Sequence, residues 1–498
     1  MAAATEIQLS LKVVMVKESN KVLYAEIDSN FADVLLSFLT LPLGTIVRLL
    51  IKHYGNNAPI LGSLNSLYAS LLNLDSSHFS SEAGKLMLLN PRNSLETECR
   101  KLKLQIDDTP PVQYFVCGNW TCASMYYSVK CLCPNSANTM TRTDLEIEEQ
   151  SDDESVFTEK TSSFLLLDNL QIRTNTLASF FQILKSNGIK DTNALEERTL
   201  IVGLKEVNLC NIELLVFLPP LCFITFVFFI YICSHQIMEL LKGSLLSKTP
   251  ITDMVHLISS ATATCNERKE FSACYFLPES KRRKQISSDS KRITVKVLVQ
   301  KSTNRFLLTE ACKDFIDLLF SLLDIPLGRV QSLLGSNTCL GSINNLFWSM
   351  RNLELLKHIK RIDSLMEPKI PPHYLSLHQV FSLDKKSSPL IYKQQDSNRV
   401  KSFGSASPGS GYTQMKMIDP KGEDGFVKGP TTFMVSDDMV VSPTSSTFIL
   451  KTLNHLKIPI HDVEEKEVEV GLEEALSILK ASLTSICALS EGLKPFLK

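Results

Sequence analysis

The segment "CGNWTCASMYYSVKCLC" puts four thiols, Cys117, Cys122, Cys131 and Cys133, within seventeen residues as C-x4-C-x8-C-x-C. A tetrahedral zinc ion takes four soft ligands, and a hairpin or knuckle can bring this spacing to one point. The C-x2-C pairs of common zinc modules are absent, and cysteines also serve as small apolar side chains inside strands. Geometry separates the two readings, because Zn–S bonds of ~2.3 Å require the four sulfurs to lie within ~4 Å of one another. Elsewhere, chemistry is poorly supported. The nine histidines are dispersed without H-E-x-x-H, and there is no Walker loop, dinucleotide glycine fingerprint or G-x-S-x-G elbow. No catalytic residue is assigned. Basic and aromatic residues do not interleave into a run that would stack RNA bases.

Composition sets the frame for these residues. A chain of 498 residues suggests several domains, and 44% hydrophobic residues can fill globular cores. With 52 Lys plus Arg against 53 Asp plus Glu, the net charge of -1 creates no overall field toward nucleic acid or anionic lipid. The opening "MAAATEIQLSLKVVMV" carries Glu6 where a secretory signal needs basic and apolar regions, so cytoplasm or nucleus is expected. Thirteen scattered cysteines then read as reduced thiols or clustered metal ligands, not as a disulfide framework.

The elements that must position the cysteines are written twice. "LKVVMVKESNKVLYAEIDSNFADVLLSFLTLPLG" (11–44) aligns with "VKVLVQKSTNRFLLTEACKDFIDLLFSLLDIPLG" (295–328) without a gap, at an offset of 284. "LGSLNSLY" (61–68) recurs as "LGSINNLF" (340–347), "FLLLDNLQI" (164–172) as "FMVSDDMVV" (433–441), and "ALEERTLIVGLKE" (194–206) as "DVEEKEVEVGLEE" (462–474). The unit is domain-sized. Each copy predicts a β-hairpin turning at Ser19-Asn20 or Thr303-Asn304, then a helix through Phe31 or Phe315 that stops at the Pro-x-Gly of Pro42 or Pro326. Asp33 and Asp317 are expected in the first turn of that helix, where a carboxylate favours the helix dipole. Asp168-Asn169 and Asp437-Asp438 predict the turns of a second hairpin, and "GLEEALSILKASLTS" a C-terminal amphipathic helix. The expected class is α+β: two tandem copies of one domain, 1–254 and 291–498, joined by a basic linker, 255–290. The core Lys281–Lys284 of that linker reads as a solvated face before a nuclear signal.

The hairpin followed by "FADVLLSFLTLPLGTIVRLL", "LGSLNSLYASLLNL", "YFVCGNWTC", "FLLLDNLQI" and "LEERTLIVGLKE" resembles the plant family known as domain of unknown function 674, whose members often carry the unit in tandem. The resemblance covers nearly all of both copies. It implies no activity, cofactor or catalytic residue, because none is established for the family.

One stretch breaks the repeat. "NIELLVFLPPLCFITFVFFIYICSHQ" (211–236) contains enough apolar length for a single membrane span through 211–233, at ~1.5 Å per residue across a ~30 Å core. The adjacent Pro219-Pro220 and Glu213 oppose it. Deleting 207–236 joins "GLKE" to "IMELLKGSLLSK" and restores a helix like the one after Gly471, with Leu204, Ile237, Met238, Leu241 and Leu245 on one face. The expectation is a translated intron, with a membrane segment or a buried insertion as alternatives.

These readings point to a non-catalytic binding or scaffold module whose partners are proteins. A zinc-containing nucleic-acid-binding or regulatory domain is the alternative, and an unrecognised enzyme the further one. Nucleic acid is a weakly supported partner, and membrane a partner only if 211–233 spans.

Overall fold

The computed structural model describes residues 7–131, 133, 140–143, 145–147, 155–160, 162–204, 236–260, 292–335, 338, 340–377, 379–395, 399–402, 411–422 and 424–496. The first copy supplies β1 (Ile7–Val16), β2 (Lys21–Asp28), β3 (Tyr114–Cys117), β4 (Cys122–Ser124), β5 (Met140–Thr143), β6 (Leu145–Ile147), β7 (Ser163–Leu167), β8 (Ile172–Thr174) and β9 (Leu195–Leu204). The second supplies β10 (Ile293–Gln300), β11 (Arg305–Ala311), β12 (Ile391–Gln394), β13 (Val400–Ser402), β14 (Tyr412–Gln414), β15 (Lys416–Met417), β16 (Phe433–Ser436), β17 (Val441–Pro443) and β18 (Val463–Val470).

Two five-stranded sheets, β8-β7-β2-β1-β9 and β17-β16-β11-β10-β18, repeat one topology. The fold is α+β, and the duplication reaches small details. Asn20 and Asn304 both take φ 52° in the first hairpin turn, a left-handed conformation that asparagine tolerates. A register shift falls between Val14 and Met15 and again between Leu298 and Val299. Phe31 and Phe315 are both fully buried. The second hairpins turn at Asp168–Leu170 and Asp437–Met439, with Leu170 (φ 62°) and Met439 (φ 65°) closing each turn one residue beyond the predicted pair. Asp168 accepts from the amide and hydroxyl of Thr252, and Asp437 from those of Ser490, so each turn caps the start of a helix, Pro250–Ser260 or Ala488–Leu493. Those two helices were not expected from sequence.

Asp33 and Asp317 act differently from the dipole role anticipated. Each lies past the first turn of its helix (Ser29–Ser37, Lys313–Ser321) and clamps a distant loop. Asp33 accepts from the amides of Val156 and Thr158 and the hydroxyl of Thr158, all at 2.8 Å. Asp317 accepts from the amides of Phe426 (3.3 Å) and Val427 (2.8 Å).

The copies interlock instead of sitting side by side. At their centre Leu43 N–H donates to the Ile325 carbonyl (3.0 Å) and Leu327 N–H to the Leu41 carbonyl (2.9 Å), a reciprocal pair of the kind a two-fold axis generates. Gly62 and Gly341 show why glycine recurs in "LGS". Both have positive φ, and a Cβ on either would strike the other copy's backbone, at Ser482 or Leu245. Beside them Ser63 Oγ donates to the Ser485 carbonyl and Ser342 Oγ to the Ser247 carbonyl. Strand β17 of the second copy is held by Ser70 of the first through Val441 N–H, and β8 of the first by Ser349 of the second through Ile172 N–H. Apolar residues of both copies consequently form one continuous core.

The remaining strands make two small sheets by exchange. β4-β3-β5 takes β15 from the second copy, and β13-β12-β14 takes β6 from the first, both as parallel additions. The two small sheets meet through Val116, Ala123, Ile391, Val400 and Met415.

Of the run 207–236, only Gln236 lies among the described residues; 211–233, the basic core 281–284 and most of the linker lie outside them. Among the described residues no helix is long and apolar enough to cross a membrane.

Candidate metal centre

Strands β3 and β4 place the first two thiols. Antiparallel pairing of Phe115 with Ser124 and Val116 with Ala123 leaves Cys117 and Cys122 at the hairpin end. The intervening Gly118–Thr121 turn closes through Trp120, whose amide donates to the Cys117 carbonyl at 2.9 Å and whose φ is 56°. β4 is held in turn by the second copy, because Lys416 N–H donates to the Thr121 carbonyl and Ile418 N–H to the Ala123 carbonyl, both at 2.9 Å. Cys131 and Cys133 return from the following loop. Cys117, Cys122 and Cys131 are buried beside Ala83, Val129 and Met140, while Cys133 is half-buried.

All four predicted sulfurs converge, lying within 4.8 Å of one another, a cluster that could hold a metal ion. The sulfurs of Cys122 and Cys133 are 3.3 Å apart. The widest separation exceeds the ~4 Å expected around zinc, so the cluster would tighten by about 1 Å on a tetrahedral ion. The four sit on one side of the small sheet, not on opposite faces as scattered core thiols would.

Hydrogen bonds prepare the sulfurs for negative charge. Cys122 N–H donates to Cys117 Sγ and Cys133 N–H to Cys131 Sγ, each at 3.3 Å, and Thr121 Oγ1 lies 3.5 Å from Cys117 and 3.0 Å from Cys133. Burial alone would push Cys117 up, but the Thr121 hydroxyl and the amides of Cys122, Thr121 and Asn119 bring it down to about 6. Bonds from Cys131, Thr121 and Cys122 also lower Cys133. Burial and the neighbouring Cys133 hold Cys131 up at about 12 and raise Cys122. Such a set cannot carry four thiolates together without a compensating cation.

Sequence reasoning missed two parts of this centre. Thr121 is visible in the motif, yet its hydroxyl role depends on the turn. The support from Lys416 and Ile418 leaves no sequence signal, because those residues lie in the other copy. There, strand register sets Gln394 opposite Arg399 where the first copy has Cys117 opposite Cys122. The centre belongs to one copy only.

Fold and site together define an α+β protein built from a duplicated, interlocked unit, with a four-cysteine cluster in its first half. The chain belongs to the family described as Protein of unknown function (DUF674), which matches residues 5–218 and 228–473. The break between those segments falls inside 207–236. No curated protein and no solved structure matches the chain.

Proposed function

We propose that this chain is a non-catalytic intracellular binding module, working on protein partners, whose Cys117, Cys122, Cys131 and Cys133 hold a structural zinc ion. The observation that carries the zinc reading is the convergence of four sulfurs supported by two amide donors. Four protein ligands fill a tetrahedral shell and leave no position for a substrate or a reactive water, which favours a structural over a catalytic role. The site ties the first copy's hairpin against the second copy's β15, so the ion would stabilise the junction of the small sheets. Reduced, clustered thiols fit the cytoplasm or nucleus.

Metal analysis of the purified protein tests the reading. About one zinc per chain is expected, replaced by cobalt with thiolate charge-transfer absorption, and C122S should lose the metal and lower Tm. Metal-free protein whose Tm is unchanged by chelator, with all four thiols freely reactive, would leave only core cysteines. Affinity purification then addresses the partner: proteins captured by wild type and lost with C122S would support the binding role.

A further inference from the structure

A cleft of about 640 Å³ opens where the two copies meet, within the ~300–1,000 Å³ range of small-molecule sites. It lies on the approximate two-fold axis, because equivalent positions of both copies line it. The 277-residue offset that relates Cys117 to Gln394 also relates Val112 to Pro389 and Met125 to Ser402, and all four border this cleft. Leu390 extends the apolar wall that Val112, Met125 and Pro389 begin.

The symmetry does not extend to charge. Arg92 and Glu96 line the cleft and bond to each other at 3.0 Å, so their charges offset. Lys386 is different: its ammonium donates to the Ser94 carbonyl at 2.7 Å, and among the described residues no carboxylate pairs with it. The equivalent position of the first copy is Thr109, buried with its hydroxyl on Asp107. The fold therefore builds this position without a cation. Tyr114 also lines the cleft, and its hydroxyl has no hydrogen-bond partner among the described residues. These groups are reachable, since Lys386 and Leu390 are exposed and Tyr114 is half-buried.

The unmet groups are donors, namely the remaining N–H bonds of Lys386 and the phenol of Tyr114, beside a single uncompensated positive charge. An ionised carboxylate only accepts hydrogen bonds and carries one negative charge, so it matches both the donors and the charge. A phosphate monoester would bring up to about two charges against one. We propose that this cleft binds a small monocarboxylate with an apolar body, its carboxylate held by Lys386 and Tyr114 and its body against Val112, Met125, Pro389 and Leu390.

The test uses the full-length protein with sodium 3-phenylpropionate, read by calorimetry and thermal shift. Acetate, which lacks the apolar body, and 3-phenylpropanol, which lacks the charge, are the controls. A probe of this size should bind wild type saturably with a dissociation constant of about a millimolar or below, and raise Tm. K386M keeps the alkyl stem and should weaken binding about tenfold or more, because a hydrogen bond to a charged group is lost. K386R keeps the charge and should bind within about threefold of wild type. Y114F keeps the ring, serves if K386M does not fold, and should weaken binding about threefold or more. No response by wild type up to about 10 mM, an equal response to 3-phenylpropanol or acetate, or undiminished binding by K386M or Y114F would overturn the proposal.

Discussion

At the scale of single residues, the duplicated Asp33 and Asp317 form an internal comparison. Both carboxylates are buried and capture a crossing loop, but among the described residues only Asp33 receives a hydroxyl, from Thr158. Burial raises Asp33, with the Thr158 hydroxyl and nearby amides pulling it back. At Asp317, beside Asp314 and Lys313, burial prevails over two amide bonds and pushes the group up to about 7. The residue equivalent to Thr158 is Val427, fully buried with its amide on Asp317. A folded-state pKa raised above the ordinary 3.8 means the folded chain keeps a proton that the unfolded chain releases. Stability therefore declines as pH rises from the unfolded pKa through about 7, and Asp324, raised by burial, adds in the same direction. V427T supplies the missing donor to a charged acceptor. It should stabilise the protein by about 1–2 kcal/mol at pH 8 and by little or nothing at pH 5, read from denaturant midpoints. A loss of equal size at both pH values would mean that the hydroxyl finds no partner there.

At the scale of elements, much of the fold was legible because its signals are local. Asn20 and Asn304 mark left-handed turns, Pro42 and Pro326 mark helix boundaries, and alternating or helical patterns mark which face is buried. The four cysteines were legible as a set, although their convergence needed the turn at Trp120. The exchange of β6 and β15 was not legible, because a pattern that says which face seeks a partner does not say which copy provides it. The structure adds its own measure of the break in the repeat. Register pairs Lys12 with Thr199 and Lys296 with Glu467, an offset of 268 between β9 and β18. The Asp168–Thr252 and Asp437–Ser490 caps, like the Ser247 and Ser485 contacts, give an offset of 238 beyond the next helix. The first copy thus carries 30 additional residues between these landmarks. Residues 236–246 are helical and bury Ile237, Leu241 and Leu245, as Leu472–Thr484 buries Ala475, Leu479 and Leu483. Removing 207–236 joins Glu206, the counterpart of Glu474, to Ile237, the counterpart of Ala475. The deletion variant should keep the circular dichroism and the cooperative unfolding of the intact chain, with Tm equal or higher. Loss of cooperative unfolding would show that the extra residues belong to the fold; transcripts shorter by three nucleotides per deleted residue would show that they are spliced out.

At the scale of the whole molecule, the central contacts between the copies occur twice with the roles reversed. Ser80 N–H donates to the Phe426 carbonyl and Lys428 N–H to the His78 carbonyl; correspondingly, Lys360 N–H donates to the Phe157 carbonyl and Glu159 N–H to the His358 carbonyl. The chain is in this sense a two-fold dimer written on one polypeptide. Neither copy contains its own complete packing: each lends a serine to hold the other's second hairpin, and each completes the other's small sheet. The linkage between copies then serves mainly to raise effective concentration, because the contacts themselves are those of an obligate pair. A protease site placed between Ser260 and Ile293 tests this without altering any described contact. After cleavage the two fragments should co-elute at the size of the intact chain, and their unfolding midpoint should become dependent on protein concentration, as mass action requires once the link is cut. Fragments that separate in native buffer and unfold independently would mean that each copy holds its own core, and that the reciprocal bonds are surface contacts between two self-sufficient domains.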